Sequence, residues 1–415
     1  MSKMDKKTLK PRIRFANFTD AWEQRKYEDI GTPSSGGTLG YDDLAVNGEY
    51  NCVLYGELYT HHDCLIKEIQ NKTNCQGNTV QRNDVLFPQS TTVDALSLIS
   101  PACLNVDTAE TSGVFVIRPH KDIDGNFVAY YTKGNNYQRK KLSKKAQGLT
   151  IVHLYYQSIK DETIAVPTFT EQKRISTFFE NLDNLITLHQ RKLDKLSNVK
   201  KSLLEKMFPQ KNSTTPKIRF KGFTDAWEQR KLGDILEIST FRNGDSYGKD
   251  DVLSVSDEYG CVNQIRFQGR SFAGADISNY KIVNTGDIVY TRSPLQAKPF
   301  GIIKVVRDET GIVSPLYMVN KAKEGNDAEF IYRIFDLPYK TNNYLSPLVR
   351  KGAKNTMNVS ETEWLSGDVV VARSYEEQKS IGKYFKAFDD LITLHQRKLE
   401  KLKNVKKALL EKMFV

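Results

Sequence analysis

The chain has 415 residues, 39% hydrophobic and 27% charged, with 61 basic against 50 acidic residues and a net charge of +11. That length allows two to four domains, each large enough to bury its own core, and the positive excess suits a polyanionic partner. No apolar run nears the ~20 residues of a membrane span, and the opening MSKMDKKTLKPRIRF lacks the apolar stretch of a signal peptide, so a cytoplasmic protein without membrane contact is expected.

The first element is a block that recurs. FTDAWEQRK stands at Phe18 to Lys26 and again at Phe223 to Lys231, and 15 of 20 positions agree between Pro11 to Ile30 and Pro216 to Ile235. An insert follows from Gly31 to Ala165, with 12 basic and 14 acidic residues. Its apolar runs, such as Gly113 to Arg118, alternate with Gly, Asn and Pro turns and predict a mixed α/β domain. Four of the five cysteines, Cys52, Cys64, Cys75 and Cys103, fall here and Cys261 lies in the second half; with no CxxC pair they read as reduced thiols.

From Glu171 to Met207 the apolar residues Ile175, Phe179, Leu182, Ile186, His189, Leu193, Leu196, Leu203 and Met207 recur at steps of three and four. That spacing predicts one long amphipathic helix, stopped by Pro209. Lys200 alone breaks the stripe, and Val199 beside it is expected to cover the break. The second copy repeats the pattern with Ile381, Phe385, Phe388, Ile392, His395, Leu399, Leu402, Leu409 and Met413, and 23 of 31 positions agree between Phe178 to Phe208 and Tyr384 to Phe414. Antiparallel pairing of the two helices would bury both stripes and relate the halves by a pseudo-two-fold axis. The pairing residues are then Ile186, His189, Leu193, Leu196, Ile392, His395, Leu399 and Leu402, and the same positions serve for docking a partner.

After a polar linker the second insert, Leu236 to Val371, carries 16 basic and 17 acidic residues and shares almost nothing with the first. Strands are expected at Ile288 to Thr291 and Gly301 to Val306, and a helix at Ala328 to Phe335. One echo survives: NDVLFPQS at Asn83 to Ser90 against GDIVYTRS at Gly286 to Ser293. It places Gln89 opposite Arg292 at the tip of a common strand. Glutamine pairs with adenine and arginine with guanine in the major groove, so Gln89, Ser90, Arg292 and Ser293 are candidate base readers. Both inserts being slightly acidic, backbone contacts must come from local clusters: Arg139, Lys140, Lys141, Lys144 and Lys145, and Arg350, Lys351 and Lys354.

Taken together, the FTDAWEQRK block, the EQK opening each long helix, the LITLHQRKL-x-KL-x-NVKK-x-LLEKMF helix and two dissimilar inserts resemble the specificity subunits of type I restriction-modification systems. The resemblance spans the whole chain. It implies a mixed α/β fold, with target recognition domains at 11–165 and 216–371, long spacer helices at 166–209 and 372–415, and a linker at 210–215. It also implies a non-catalytic chain that reads a bipartite, asymmetric double-stranded DNA target and docks two adenine-N6 methyltransferase subunits. Those subunits would hold S-adenosylmethionine, and a restriction subunit, where the system has one, would hold ATP and Mg2+; this chain would bind no cofactor. Two modules on a rigid spacer suit half-sites about one DNA turn apart, roughly 34–36 Å.

Two rival readings rest on fragments. DLPY at Asp336 to Tyr339 and FAGAD at Phe272 to Asp276 approach the motifs of a stand-alone adenine methyltransferase, but Leu337 replaces a proline and the second glycine is missing. The acidic inserts fit a coiled-coil adaptor without a DNA role. His61, His62 and Cys64 lack a second ligand pair at zinc spacing, and Trp22 and Trp227, lying in the constant frame, read as core anchors.

Overall fold

A computed structural model describes residues 9–210, 213–292, 298–351 and 357–415. The chain forms two compact units, Met1–His189 with Lys398–Val415, and Gln190–Arg397. Each long helix, Phe169–Met207 and Tyr375–Met413, is 39 residues long, starts in one unit and ends in the other.

In the first unit a five-stranded sheet runs Gly31–Ser35, Val114–Pro119, Val85–Pro88, Ala102–Leu104, Leu65–Ile66. The run VLFP at its centre is buried throughout, which is why it reads as a continuous apolar segment rather than an alternating one. A four-stranded sheet, Lys72–Thr73, Tyr50–Leu54, Thr108–Ser112, Asn78–Gln81, packs against the five-stranded one around a smaller core to which both sheets contribute. The second unit repeats the order of the first four strands in its antiparallel sheet Leu236–Ile238, Met318–Ala322, Ile288–Tyr290, Ile303–Val305. The strands expected at Ile288 and Gly301 are there with ends trimmed, and the expected helix spans Ala328–Ile334.

The repeated blocks close each unit. Glu23–Lys26 pairs antiparallel with Thr163–Val166, and Glu228–Lys231 with Asp368–Val371, joining each domain's start to the strand before its long helix. Arg14 holds Glu171 by two hydrogen bonds of 2.6 and 2.7 Å, and Arg219 holds Glu377 with the same pair of distances. Both carboxylates are almost wholly buried, where a bidentate guanidinium partner offsets the cost of desolvation. The next residue of each EQK does equivalent work: Gln172 accepts from the Asp124 backbone and Gln378 from that of Asp327, both at 2.9 Å. Trp22 and Trp227 are 3% and 2% exposed, anchoring the two main cores as expected.

Within each unit, segments of the two long helices run antiparallel. In the first, Phe414 packs on Phe179, Trp22 and Phe127 while Lys406 meets Asp183; in the second, Phe208 packs on Phe385, Trp227 and Phe330 while Lys200 meets Asp389. The break in the apolar stripe is thereby explained, and the expectation for Val199 is corrected. Val199 is 39% exposed, whereas Lys200 turns inward between Asp336 and Asp389 at 2.7 and 2.8 Å. The half-buried Lys200 thus fills its place in the stripe with a charge matched by two carboxylates.

Candidate nucleic-acid interface

The two central strands start from the same turn. Asn83 and Gly286 adopt left-handed conformations with φ of 78° and 95°, and the following Asp84 and Asp287 accept from the backbone of Gln81 and Asn284 at 2.9 and 2.8 Å. The weak sequence echo is therefore a structural equivalence, which puts Gln89 and Arg292 at corresponding strand ends. Their side chains differ in availability. The Gln89 backbone is engaged on both sides, donating to Gly113 and accepting from Leu154 at 2.9 Å each. Its half-exposed side chain makes no hydrogen bond among the described residues. Arg292 has a left-handed φ of 55° and donates through Nε to the Leu316 carbonyl at 2.8 Å, through Nη1 to that of Val359 at 3.5 Å, and through Nη2 again to Leu316. Its guanidinium is committed to the protein's own carbonyls.

Ser90 lies in a short strand, Ser90–Thr91, paired with Val152–His153. The Gln147–His153 loop beside it closes with reciprocal backbone bonds of 2.9 and 2.7 Å. Gly148 is required there: its φ is 115° and a Cβ would lie 2.0 Å from the Ile151 carbonyl oxygen. At the tip Leu149 is fully exposed and Ile151 half-exposed, with Val93 exposed on the segment after Thr91. Apolar tips next to a free glutamine suit contact with thymine methyls or a base step. Sequence patterning overlooked them because single apolar residues in a polar loop carry no period; Gly148 was the available signal.

The basic cluster is sorted by the helix Asn136–Ser143, whose Gln138 and Leu142 face the core. Lys141 and Lys145, one turn apart, both reach Glu162 at 2.9 and 2.7 Å. Burial opposes the charge of Glu162, yet Lys145 and Lys141 hold its carboxyl below the ordinary range. Lys140 and Lys144 are exposed on another face, without ion pairs among the described residues. Arg139 turns into a cleft, bonding the Leu96 carbonyl at 2.9 Å. In the second unit Arg350–Lys351 forms a short strand with Met357–Asn358; the side chains of Arg350 and Lys351, and all of Ser293 and Lys354, lie outside the described residues.

On the long helices Ile186, His189, Leu193, Leu196, Ile392, His395 and Leu402 are half-buried, and Leu399 is buried. A second apolar row is exposed, and it is duplicated: Leu185, Leu188 and Val199 match Leu391, Leu394 and Val405, at 46%, 45% and 39% against 45%, 45% and 39% exposure. The methyltransferase-like fragment is something else. Asp336 pairs with Arg333 and Lys200, and Leu337, 4% exposed, precedes Pro338 at a helix start, so DLPY opens a packed helix. Cys64 is likewise 2% exposed within the core, and Asp63 pairs with Lys406, which accounts for part of the His61–Cys64 run.

The family model for the type I restriction modification DNA specificity domain matches residues 19–198 and 224–404, one match to each repeat. The chain belongs to this family. Among curated relatives, the type I restriction enzyme MjaVIII specificity subunit of Methanocaldococcus jannaschii is 21% identical over 280 residues, 65% of this chain and 65% of its own length. The putative type I restriction enzyme MjaX specificity subunit of the same organism is 23% identical over 318 residues, 72% of this chain and 69% of its own. This specificity chain thus spans about two thirds of each of these relatives. Its fold is similar to the crystal structure of a type I restriction-modification system S subunit from M. genitalium, with a TM-score of 0.61 and 14% identity over 98% of this chain and 99% of that one.

Proposed function

We propose that this chain is the non-catalytic specificity subunit of a cytoplasmic type I restriction-modification complex. In this reading each recognition domain reads one half-site of a split, asymmetric DNA target. The observation that carries it is one turn and central strand common to both domains, set within two inserts that otherwise share almost nothing and held in a repeated frame, so that equivalent scaffolds carry different tips. A common scaffold with different tips suits one DNA geometry and two sequences. Backbone contacts would come from Lys140 and Lys144.

The duplicated exposed row of Leu185, Leu188 and Val199 with Leu391, Leu394 and Val405 supports docking of two copies of one partner, since identical apolar surfaces offer equivalent sites. Adenine-N6 methyltransferase subunits carrying S-adenosylmethionine are the partner proposed, with ATP and Mg2+ confined to a restriction subunit where one is present.

The test is to co-express the chain with the methyltransferase subunit of its own cell and map N6-methyladenine across the genome. One split motif that disappears without this chain is expected, and exchanging Gly31 to Ala165 for an unrelated insert should change one half of it. Methylation that is unchanged without the chain, although the two proteins assemble, would overturn the reading. So would an exchange that alters both halves.

A further inference from the structure

The cleft that takes Arg139 has a volume of about 380 Å³ and lies wholly within the first unit, between the recognition domain and Lys398–Val415. Its charges fall into two sets. Lys406 pairs with Asp63 and Asp183, and Lys133 with Asp63 and neighbouring carbonyls; Glu411 accepts from Asn136 at 3.2 Å. Arg139, Lys403 and Lys407 have no carboxylate partner among the described residues. Arg139 is the most telling of these. It is half-buried, its bond is to a neutral carbonyl, and its Nε is buried without a hydrogen-bond partner. Burial pushes its pKa down, only partly opposed by Asp94. A guanidinium desolvated without an anion is unfavourable, and an anion entering the cleft would offset that cost.

The second unit shows what a closed version of the same place looks like. Matching the N-cap residues Asp124 and Asp327 puts Lys133 opposite Asp336 and Tyr130 opposite Arg333. There Lys200, the copy of Lys406, meets Asp336 and Asp389, while Arg307 and Arg333 share Glu329 and Asp389, so each of these cations is paired. In the first unit the acid at that position is replaced by the base Lys133. Lys403 is an addition too, since its copy is Ser197. Lys407 keeps a copy in Lys201, so the charge added in this unit alone is that of Lys133 and Lys403.

We infer that the cleft of Arg139, Lys403 and Lys407 binds a phosphate group, and that its occupant is the backbone of DNA flanking the half-site read by the first unit. The inference rests on the DNA-reading role proposed above. Arg139 shares its helix with the exposed Lys140, and Lys144 and the Gln147–His153 loop follow that helix directly in the chain. Such contacts carry affinity and salt dependence without sequence preference.

The test uses the full chain assembled with its methyltransferase subunits, and duplexes with and without the methylated motif. Lys403→Gln with Lys407→Gln removes two exposed lysines that have no ion pair among the described residues, so folding is spared. Binding should weaken tenfold or more on both duplexes alike, and the slope of log affinity against log salt should shrink by about 1.8, at ~0.9 per lost phosphate contact. Phosphate ethylation interference should disappear beside one half-site and persist beside the other. Affinity within twofold and an unchanged slope, on an unaltered complex that binds normally, would overturn the inference while leaving the DNA reading intact. An unaltered complex without salt-sensitive binding would sink both. Saturable binding of tripolyphosphate that the double variant abolishes, with DNA binding unchanged, would overturn the assignment to DNA in favour of a free phosphate compound.

Discussion

Lys200 donates to Asp389 at 2.8 Å, and the same pair recurs one repeat away as Lys406 and Asp183 at 2.6 Å. The two pairs have different surroundings. Asp389 also accepts from Arg307 and Arg333, and Asp336 from Arg333, whereas Asp183 has the Tyr130 hydroxyl at 2.7 Å and Asp63 nearby. Lys406→Met should therefore destabilise the first unit by about 3–5 kcal/mol, the cost of stranding a buried carboxylate. Lys200→Met should cost the second unit clearly less. Denaturant unfolding of each variant measures the difference, and Asp183→Asn added to Lys406→Met should recover much of the loss. Equal costs at the two lysines would refute this account.

Arg292 caps the carbonyls of Leu316 and Val359 from a left-handed backbone. Arg292→Gln is expected to leave the methylated motif unchanged and to lower the unfolding midpoint, with a loss of about 1–3 kcal/mol from carbonyls left unpaired. Gln89→Ala should do the reverse, relaxing one position of one half-site at little cost in stability. Methylome mapping of both variants decides it, and a changed base under Arg292→Gln would show that the guanidinium leaves its carbonyls on DNA.

The basic cluster separates by face. Lys140→Gln with Lys144→Gln should weaken DNA binding uniformly and reduce the salt slope by about 1.8. Lys141→Gln with Lys145→Gln should strand Glu162 and act first on thermal stability, because those lysines already hold a carboxylate. The comparison needs only affinity at three salt concentrations and a melting curve for each double variant.

Lys340 lies 5.0 Å from the Phe208 ring centroid, and burial, partly opposed by Glu205, brings its pKa down to about 8. Its folded pKa lies below the unfolded value, so the unfolded chain binds more protons between the two. The stability of the second unit should rise as pH increases from about 8 toward 10.5, by on the order of 1–3 kcal/mol. Lys340→Met should remove this rise. Unfolding midpoints at pH 7.5 and pH 9.5 test the sign; a wild-type slope retained in the variant would assign it to another group.

The sequence by itself determined the frame. Repetition of FTDAWEQRK and LITLHQRKL, the period of the long helices, the two inserts and the family all follow from local patterns, because helix amphipathicity and block identity are written in consecutive residues. The echo at Asn83 and Gly286 was legible for the same reason, since a left-handed turn and the acid after it are local requirements. Tertiary structure alone decided where the polar side chains go. That Lys141 and Lys145 meet Glu162, that Arg292 meets Leu316, that Lys200 turns inward while Val199 faces outward, and that Arg139 enters a cleft with Lys403 all depend on partners distant in sequence. A cation's role is set by whichever anion or carbonyl the fold brings within hydrogen-bond reach, and no spacing along the chain records that.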